Sequence, residues 1–137
     1  ALLSRRTAFC RAGSVRLNAS FRECLTRMQE AESVAAVAVV DPDGMVVASV
    51  PDQSEDLESL AASMSGLLSY IGALGADAGL GEMQQSTLEF REGILFVGPL
   101  NEAASLVIVA ESGSPLGQVR LVLRRYRDEL IRHLEAV

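Results

Sequence analysis

The sequence predicts an α+β fold in which helices and antiparallel strands follow one another in the order α-β-β-α-β-β-β-α. Residues 33–41 read SVAAVAVVD, and seven consecutive apolar residues are typical of a strand that is buried on both faces. The DPDG sequence at residues 41–44 is typical of a tight turn, which makes residues 33–50 a β-hairpin. The later strands are joined by short turns, and short links make neighbouring strands antiparallel.

The chain is predicted to begin with an arm and a helix. Residues 1–18 show no hydrophobic periodicity, so we expect a disordered arm there and assign residues 19–137 to a single folded domain. Ser20 and Glu23 form a capping-box pattern, and apolar residues follow them at helical spacing. This pattern predicts a helix over residues 20–32.

A long helix with two unlike sides follows the hairpin. Asp52 and Glu55 form a second capping pattern, and the predicted helix extends to about residue 77. Residues 59–76 carry no charge, although the exposed face of a helix in a lone globular domain normally carries charged residues. At about 100° per residue, one side holds large apolar residues and the opposite side holds only small ones. The large residues are Leu57, Leu60, Met64, Leu67, Leu68, Ile71 and Leu74, and the small ones are Ala62, Ser65, Gly66, Ser69, Ala73 and Ala76.

We expect the side with small residues to be covered by protein, because small residues let a neighbouring backbone approach closely. A second copy of the chain is the simplest cover, so these residues are predicted to form a homodimer interface. The alternative is that the N-terminal helix of the same chain covers them. The four serines and three glycines between residues 59 and 76 argue against a membrane span.

Three strands and a last helix complete the predicted fold. Strands are expected at residues 83–90, 94–98 and 105–111, and Pro99 is expected to end the second of them. The last helix is predicted to begin with Ser114 as its cap. Its apolar stripe consists of Leu116, Val119, Leu123, Tyr126, Leu130 and Leu134.

The charged residues of the last helix allow two interpretations. Arg120, Arg124, Arg125 and Arg127 form a row that could meet an acidic surface of a partner. The alternative is a solvated face in which the arginines pair with acidic residues four positions away.

Composition and charge argue against several functions. A net charge of -6 and an aromatic content of 4% disfavour nucleic acid as a partner. Residues 1–17 hold four arginines and no acid, so they carry +4, and the remaining 18 acids and eight arginines carry -10. All twelve Lys and Arg positions are arginine, which excludes Schiff-base chemistry and a phosphate-binding loop with its lysine. With one histidine (His133) and two cysteines, no catalytic triad, metal site or cofactor site is predicted, and we expect reduced thiols in a cytoplasmic protein.

Two segments resemble a known family. The sequences VVDPDGMVVAS and AGLGEMQQSTLEFREGILFVGPL, with their spacing, resemble the Roadblock/dynein light-chain family, and most of all its bacterial MglB-like members. The resemblance covers residues 32–137 and implies a five-stranded antiparallel sheet sandwiched between helices, as in profilin-like folds. It also implies dimerisation through the long helix and the strand after it, which adds Thr87 and Glu89 to the expected interface.

The resemblance implies a regulatory partner as well. MglB-like members bind a Ras-like small GTPase and can stimulate its GTP hydrolysis by reshaping the site of the GTPase, without inserting an arginine. We therefore expect a homodimeric adaptor that is not itself an enzyme and needs no cofactor. Two other functions stay open at this point: a purely structural scaffold subunit of a larger complex, and a profilin-like or PAS-like sensor of a small molecule.

Overall fold

A computed structural model describes residues 15–31 and 33–135, with side chains from residue 19 onward. The predicted arm, apart from the backbone of residues 15–18, lies outside the described residues. The elements occur in the predicted order, and the fold class is confirmed. They are α1 Val15–Gln29, β1 Val34–Val40, β2 Val46–Val50, α2 Glu55–Asp77, β3 Ser86–Phe90, β4 Gly93–Asn101, β5 Ala104–Glu111 and α3 Leu116–Glu135.

The five strands form one antiparallel sheet in the order β2-β1-β5-β4-β3. β1 lies between β2 and β5, so that Val37 is opposite Val50 on one side and Ile108 on the other. This inner position explains the uninterrupted valine and alanine run of β1, because both faces of the strand are buried. The two edges of the sheet are β2 and β3.

Helices cover both faces of the sheet. On one face, α1 and α3 pack together over a core that includes Leu25, Phe96, Ile108 and Leu130. On the other face, α2 is the one helix of the described residues that packs on the sheet, over a smaller core to which the strands contribute alanine and valine side chains. Because α1 lies on the face opposite α2, it does not cover the small side of α2, and that alternative is excluded. We call the two sides of the sheet the α1/α3 face and the α2 face.

The two capping-box patterns in the sequence, at Ser20 for α1 and at Asp52 for α2, do not cap these helices. α1 begins at Val15, so Ser20 lies inside the helix and is exposed, where a serine is tolerated because the buried face of the helix provides its stability. α2 is capped by Ser54, whose hydroxyl accepts the Leu57 N–H at 3.3 Å. The Asp52 carboxylate instead contacts Arg22 at 2.7 Å.

Two further boundaries differ from the prediction for physical reasons. β4 continues through Pro99 to Asn101, because β3 pairs with β4 only as far as Val97 and leaves the rest of that side of β4 as an edge. Proline is tolerated at a sheet edge, where no partner needs its missing N–H. Ser114 does not cap α3, because its hydroxyl donates a hydrogen bond back to the Glu111 carbonyl.

Candidate interaction surface

The long helix α2 is anchored to the sheet mainly by its first half. Leu57, Ala61 and Met64 are buried against the sheet, and Ser54 with three acidic residues stabilises the helix N-terminus. From residue 66 to residue 77 every side chain is exposed or at most half-buried. This second half is about 18 Å long at 1.5 Å per residue, and it carries no charge before Asp77.

Two of the six small residues predicted for the interface are explained inside the chain. Gly44, at the β1–β2 turn, is buried against α2 with φ of +82°. A Cβ on Gly44 would lie 3.1 Å from the Cα of Ala62 and 3.2 Å from the Cβ of Ser65. Their small size therefore lets the hairpin turn approach the helix.

The other four small residues have no such explanation within the described chain. Gly66, Ser69, Ala73 and Ala76 are all exposed, and a Cβ on Gly66 would meet nothing within 4 Å. They form a smooth uncharged flank, which we call the small flank of α2. A flank of this kind suits close packing of a second helix, since no bulky side chain keeps the backbones apart.

A second exposed flank of α2 carries large apolar side chains. Leu67 and Leu74, which belong to the side with large residues, are 36% and 61% exposed, and Tyr70 is 77% exposed. At about 100° per residue this apolar flank lies roughly 110° from the small flank. Tyr70 lies far around the helix from the buried Leu57 and Met64. This angular position was the sequence signal that could have distinguished the exposed apolar flank from the buried side of the helix.

The segment after α2 holds one large apolar side chain in a fixed position. The Leu80 N–H bonds to the Gly75 carbonyl at 2.8 Å, and the Gly79 N–H bonds to the Ala76 carbonyl at 3.1 Å. Together with φ of +69° at Gly79, these bonds form a Schellman motif that closes the helix. The side chain of Leu80 is 82% exposed beyond this closed end.

The edge strand β3 pairs with β4 only, so its other backbone edge has no strand partner among the described residues. Thr87 is half-buried and lies opposite Phe96, and Glu89 is exposed and lies opposite Ile94. These two predicted interface residues therefore point to the α1/α3 face, and the fold does not bring them together with the small flank. Phe90, which is 60% exposed, lies on the α2 face.

The length and composition of α2 would also fit a membrane span. Within the described part of the chain it is the one helix of that kind, with 23 residues and a mean hydropathy of 1.3 in its most apolar window. Its first half, however, forms the core of the α2 face through side chains such as Leu57 and Met64. A helix that is built into a domain in this way is better suited to contact another protein than to cross a bilayer.

Within the part of the chain that the structure describes, the reactive side chains do not cluster into a second site. Burial raises the pKa of the Cys24 thiol to about 12, and the nearby Glu129 carboxylate contributes to this rise, so the thiol is a poor nucleophile. His133 packs edge-on against Phe21 at 6.4 Å between ring centres, with its Nε2 3.9 Å from the Glu129 carboxylate. Over residues 15–31 and 33–135, no group of three or more His, Cys, Asp or Glu residues could hold a metal ion.

Comparisons with known proteins agree with this architecture. An uncharacterized protein of Methanocaldococcus jannaschii, MJ0310, is 26% identical over 106 residues, which are 77% of this chain and 92% of that protein. The gliding protein MglB of Thermus thermophilus superposes with a TM-score of 0.81 at 23% identity, covering 90% of this chain and 95% of that one. Myxococcus xanthus MglB superposes with a TM-score of 0.80 at 22% identity, covering 90% of this chain and 92% of that one.

The match to a family model extends over most of the described fold. The Roadblock/LC7 domain model matches residues 21–110, which run from the middle of α1 to the end of β5 and include all of α2 and the sheet up to that point. That range is more than half of the chain. The protein therefore belongs to the Roadblock/LC7 domain family.

Proposed function

We propose that this protein is a homodimeric adaptor that binds a Ras-like small GTPase and modulates its GTP hydrolysis. The observation that carries the proposal is the second half of α2, which is mostly exposed and uncharged up to Asp77. It belongs to a helix that is closed at one end by the Ser54 cap and at the other by the Schellman motif. Monomeric soluble proteins rarely expose large contiguous apolar patches unless these serve in binding.

The size of the exposed apolar surface supports a protein partner. Leu67, Tyr70 and Leu74 together leave on the order of 350 Å² of mostly apolar side-chain area in contact with solvent. A standard interface buries about 800 Å² per partner, of which a little more than half is apolar. The patch is therefore large enough to supply most of the apolar part of one specific interface.

The small flank of α2, together with this patch, supports the proposed homodimer. A second copy that packs along Gly66, Ser69 and Ala73 can approach closely because no side chain there is larger than a serine. A solved MglB structure has a tetrameric arrangement, so self-association through this fold is compatible with the proposal.

The GTPase partner is proposed from the family and from the chemistry that this chain lacks. Its sequence has no lysine and no phosphate-binding loop, so the nucleotide belongs to the partner. A regulator without catalytic groups changes the hydrolysis rate by binding one conformation of the GTPase more tightly than the other. The MglB-like resemblance and the MglB superpositions support this role.

The test uses purified Ras-like GTPases loaded with GDP or with a non-hydrolysable GTP analogue. We expect binding that depends on the nucleotide, followed by faster release of phosphate from GTP when the adaptor is added. Binding with an unchanged rate would support the scaffold function instead, and no binding to any such GTPase would refute the proposal.

A matched pair of variants ties the effect to α2. Leu74 and Leu121 are 61% and 63% exposed, and they lie on opposite faces of the sheet. With the dimer measured at ~0.5 M NaCl, where contacts between exposed charged groups are screened, Leu74→Glu is expected to abolish both the dimer formed through α2 and GTPase stimulation. Leu121→Glu is expected to leave both intact. An equal effect of the two substitutions would show that α2 is not the interaction surface.

A further inference from the structure

The segment that follows α2 presents an exposed leucine between two acidic side chains. Leu80 is 82% exposed, and Asp77 and Glu82, three residues before it and two after it, are exposed as well. Among residues 19–31 and 33–135, neither carboxylate forms an ion pair. We call Asp77, Leu80 and Glu82 the acidic knob.

The acidic knob is rigid as well as exposed. The Leu80 N–H is bound to the Gly75 carbonyl at 2.8 Å, and the Gly81 carbonyl packs so closely on Gly75 that a Cβ there would lie 2.5 Å from its oxygen. A side chain presented by a closed loop loses little conformational entropy on binding, which favours its use as an anchor.

The outward face of α3 presents the opposite arrangement. Leu121 is 63% exposed, and Arg124 and Arg125 follow it by three and four residues, so all three lie together on one stretch of helix surface. Arg124 could pair with Asp128, which lies four residues further along α3, but this ion pair is not formed in the described chain. Arg125 makes only a cation–π contact with the neighbouring Tyr126 ring, at 5.6 Å. We call Leu121, Arg124 and Arg125 the arginine patch.

These two surfaces cannot meet within one molecule. The acidic knob follows α2, and Met83, just after it, packs on the α2 face of the sheet. The arginine patch belongs to α3, which packs on the other face. The whole sheet therefore separates the acidic knob from the arginine patch of the same chain.

We propose that the acidic knob of one molecule docks on the arginine patch of a second copy. Leu80 would pack against Leu121, while the two guanidinium groups bind the carboxylates of Asp77 and Glu82, a pairing for which arginine has the right geometry. The partner is a second copy because both complementary surfaces are present on this chain.

An anionic membrane fits the arginine patch less well. A single exposed leucine inserts little apolar surface into a bilayer, and the residues from 18 to 137 carry a net charge of -10 that an extended anionic surface would repel. A local contact with an acidic knob avoids that repulsion, because it touches only the arginine patch.

This contact is independent of the α2 dimer and of any GTPase. It joins two different surfaces, so it links molecules head to tail and either closes into a small ring or continues as a chain. Its strength depends on charge, so it is expected to weaken at least about ten-fold between ~0.05 M and ~0.5 M NaCl.

Sedimentation velocity over a concentration series tests the proposal. At low salt the wild-type protein is expected to form a species at least twice the size of the unit that persists at high salt. Arg124→Glu or Glu82→Arg is expected to weaken this association about ten-fold or more, because each places like charges opposite one another. The matched controls Arg91→Glu and Glu102→Arg make the same charge changes in the β3–β4 and β4–β5 turns, and they are expected to have no effect.

A mixture of the two reversed variants gives the decisive result. Arg124→Glu and Glu82→Arg, each defective alone, are expected to associate when mixed, because the reversed charges are again complementary. The proposal is overturned if the wild type shows no salt-dependent association, if the control variants lose it equally, or if the mixture does not recover it.

Discussion

Two glycines one turn apart in α2 provide a sharp test of how the helix ends. Gly72 and Gly75 are both in the exposed half of the helix, but a methyl group would meet different surroundings at the two positions. At Gly72 an added Cβ has nothing within 4 Å, whereas at Gly75 it would lie 2.5 Å from the carbonyl oxygen of Gly81. We therefore predict that replacement by alanine changes stability in opposite directions at these two sites.

The magnitudes follow from the surroundings of each site. Gly72→Ala removes an unfavourable mid-helix glycine and is expected to raise the free energy of unfolding by about 0.5–1 kcal/mol. Gly75→Ala gains the same free energy by replacing a helical glycine, but its methyl group forces the Gly81 backbone outward by about 1 Å. That movement weakens the bond from Leu80 to Gly75, worth about 1 kcal/mol, and adds an overpacking cost of about 1–3 kcal/mol. The net result is a loss of about 1–3 kcal/mol.

Urea unfolding followed by far-UV circular dichroism measures both effects. All proteins must be compared at the same concentration, because an associating protein gains apparent stability with concentration. The two variants are expected to differ by about 2–4 kcal/mol, which corresponds to roughly 1–2 M in the urea midpoint at unchanged slope. If Gly75→Ala is as stable as the wild type, the Schellman closure of α2 does not hold.

Three further predictions concern the cap, the dimer and the buried thiol. Ser54→Ala is expected to lower the free energy of unfolding by about 1 kcal/mol, because it removes the helix cap. Asp52→Ala removes an exposed ion pair and is expected to cost less than about 0.5 kcal/mol. Equal losses of the two variants in urea unfolding would contradict the assignment of the cap. Gly66→Arg or Ser69→Arg is expected to yield a folded protein that no longer forms the α2 dimer, as measured by light scattering at ~0.5 M NaCl, where the contact between the acidic knob and the arginine patch is weak. A charge in the closely packed seam costs several kcal/mol, on the order of a buried unpaired charge, and a stable dimer would place the seam elsewhere. The raised pKa of Cys24 means that above pH 9.0 the unfolded chain loses a proton that the folded chain keeps. Stability should therefore fall as pH rises from 9.0 towards about 12, by up to ~1.4 kcal/mol per pH unit, and Cys24→Ala should reduce this slope; an unchanged slope would show that the thiol ionises freely in the fold.

The order of elements could be predicted because it depends on local signals that tertiary contacts did not override. The valine run of β1 is buried on both faces, as its composition indicated, and Gly44 adopts the positive φ that the DPDG turn requires. The apolar stripe of α3 was also correct, since Val119, Leu123 and Leu130 are buried. In each case several residues in a row point to the same structure.

The helix caps were predicted less well because each depends on the rotamer of one side chain. Asp52 and Ser54 both precede α2 and both carry a side-chain acceptor, so the spacing to a following glutamate could not separate them. Arg22, distant in sequence, holds Asp52 at 2.7 Å and leaves Ser54 to accept the helix N–H. A contact between elements therefore decided which residue caps the helix.

The interaction surface was predicted in part, and the reason lies in how far α2 extends past its contact with the core. Sequence periodicity treats a helix as buried along one stripe for its whole length, which places Leu67 and Leu74 in the core. In the fold the stripe packs on the core through Leu68, while Leu67 beside it and Leu74 beyond it are exposed. Whether a stripe is covered depends on where the sheet ends beneath it, and that is a property of the whole fold.

The exposed half of α2 links the stability of this domain to its association. Its glycines, Gly66, Gly72 and Gly75, disfavour an isolated helix, and it gains little from packing on its own chain. The helix is instead secured at its ends, by the first half with its cap and by the Schellman motif at Gly79. Fixing the ends leaves both flanks of the middle free of local packing, so each flank remains available to a partner. A partner that covers a flank stabilises the helical conformation that it binds, and dimer formation and order in this segment are therefore coupled.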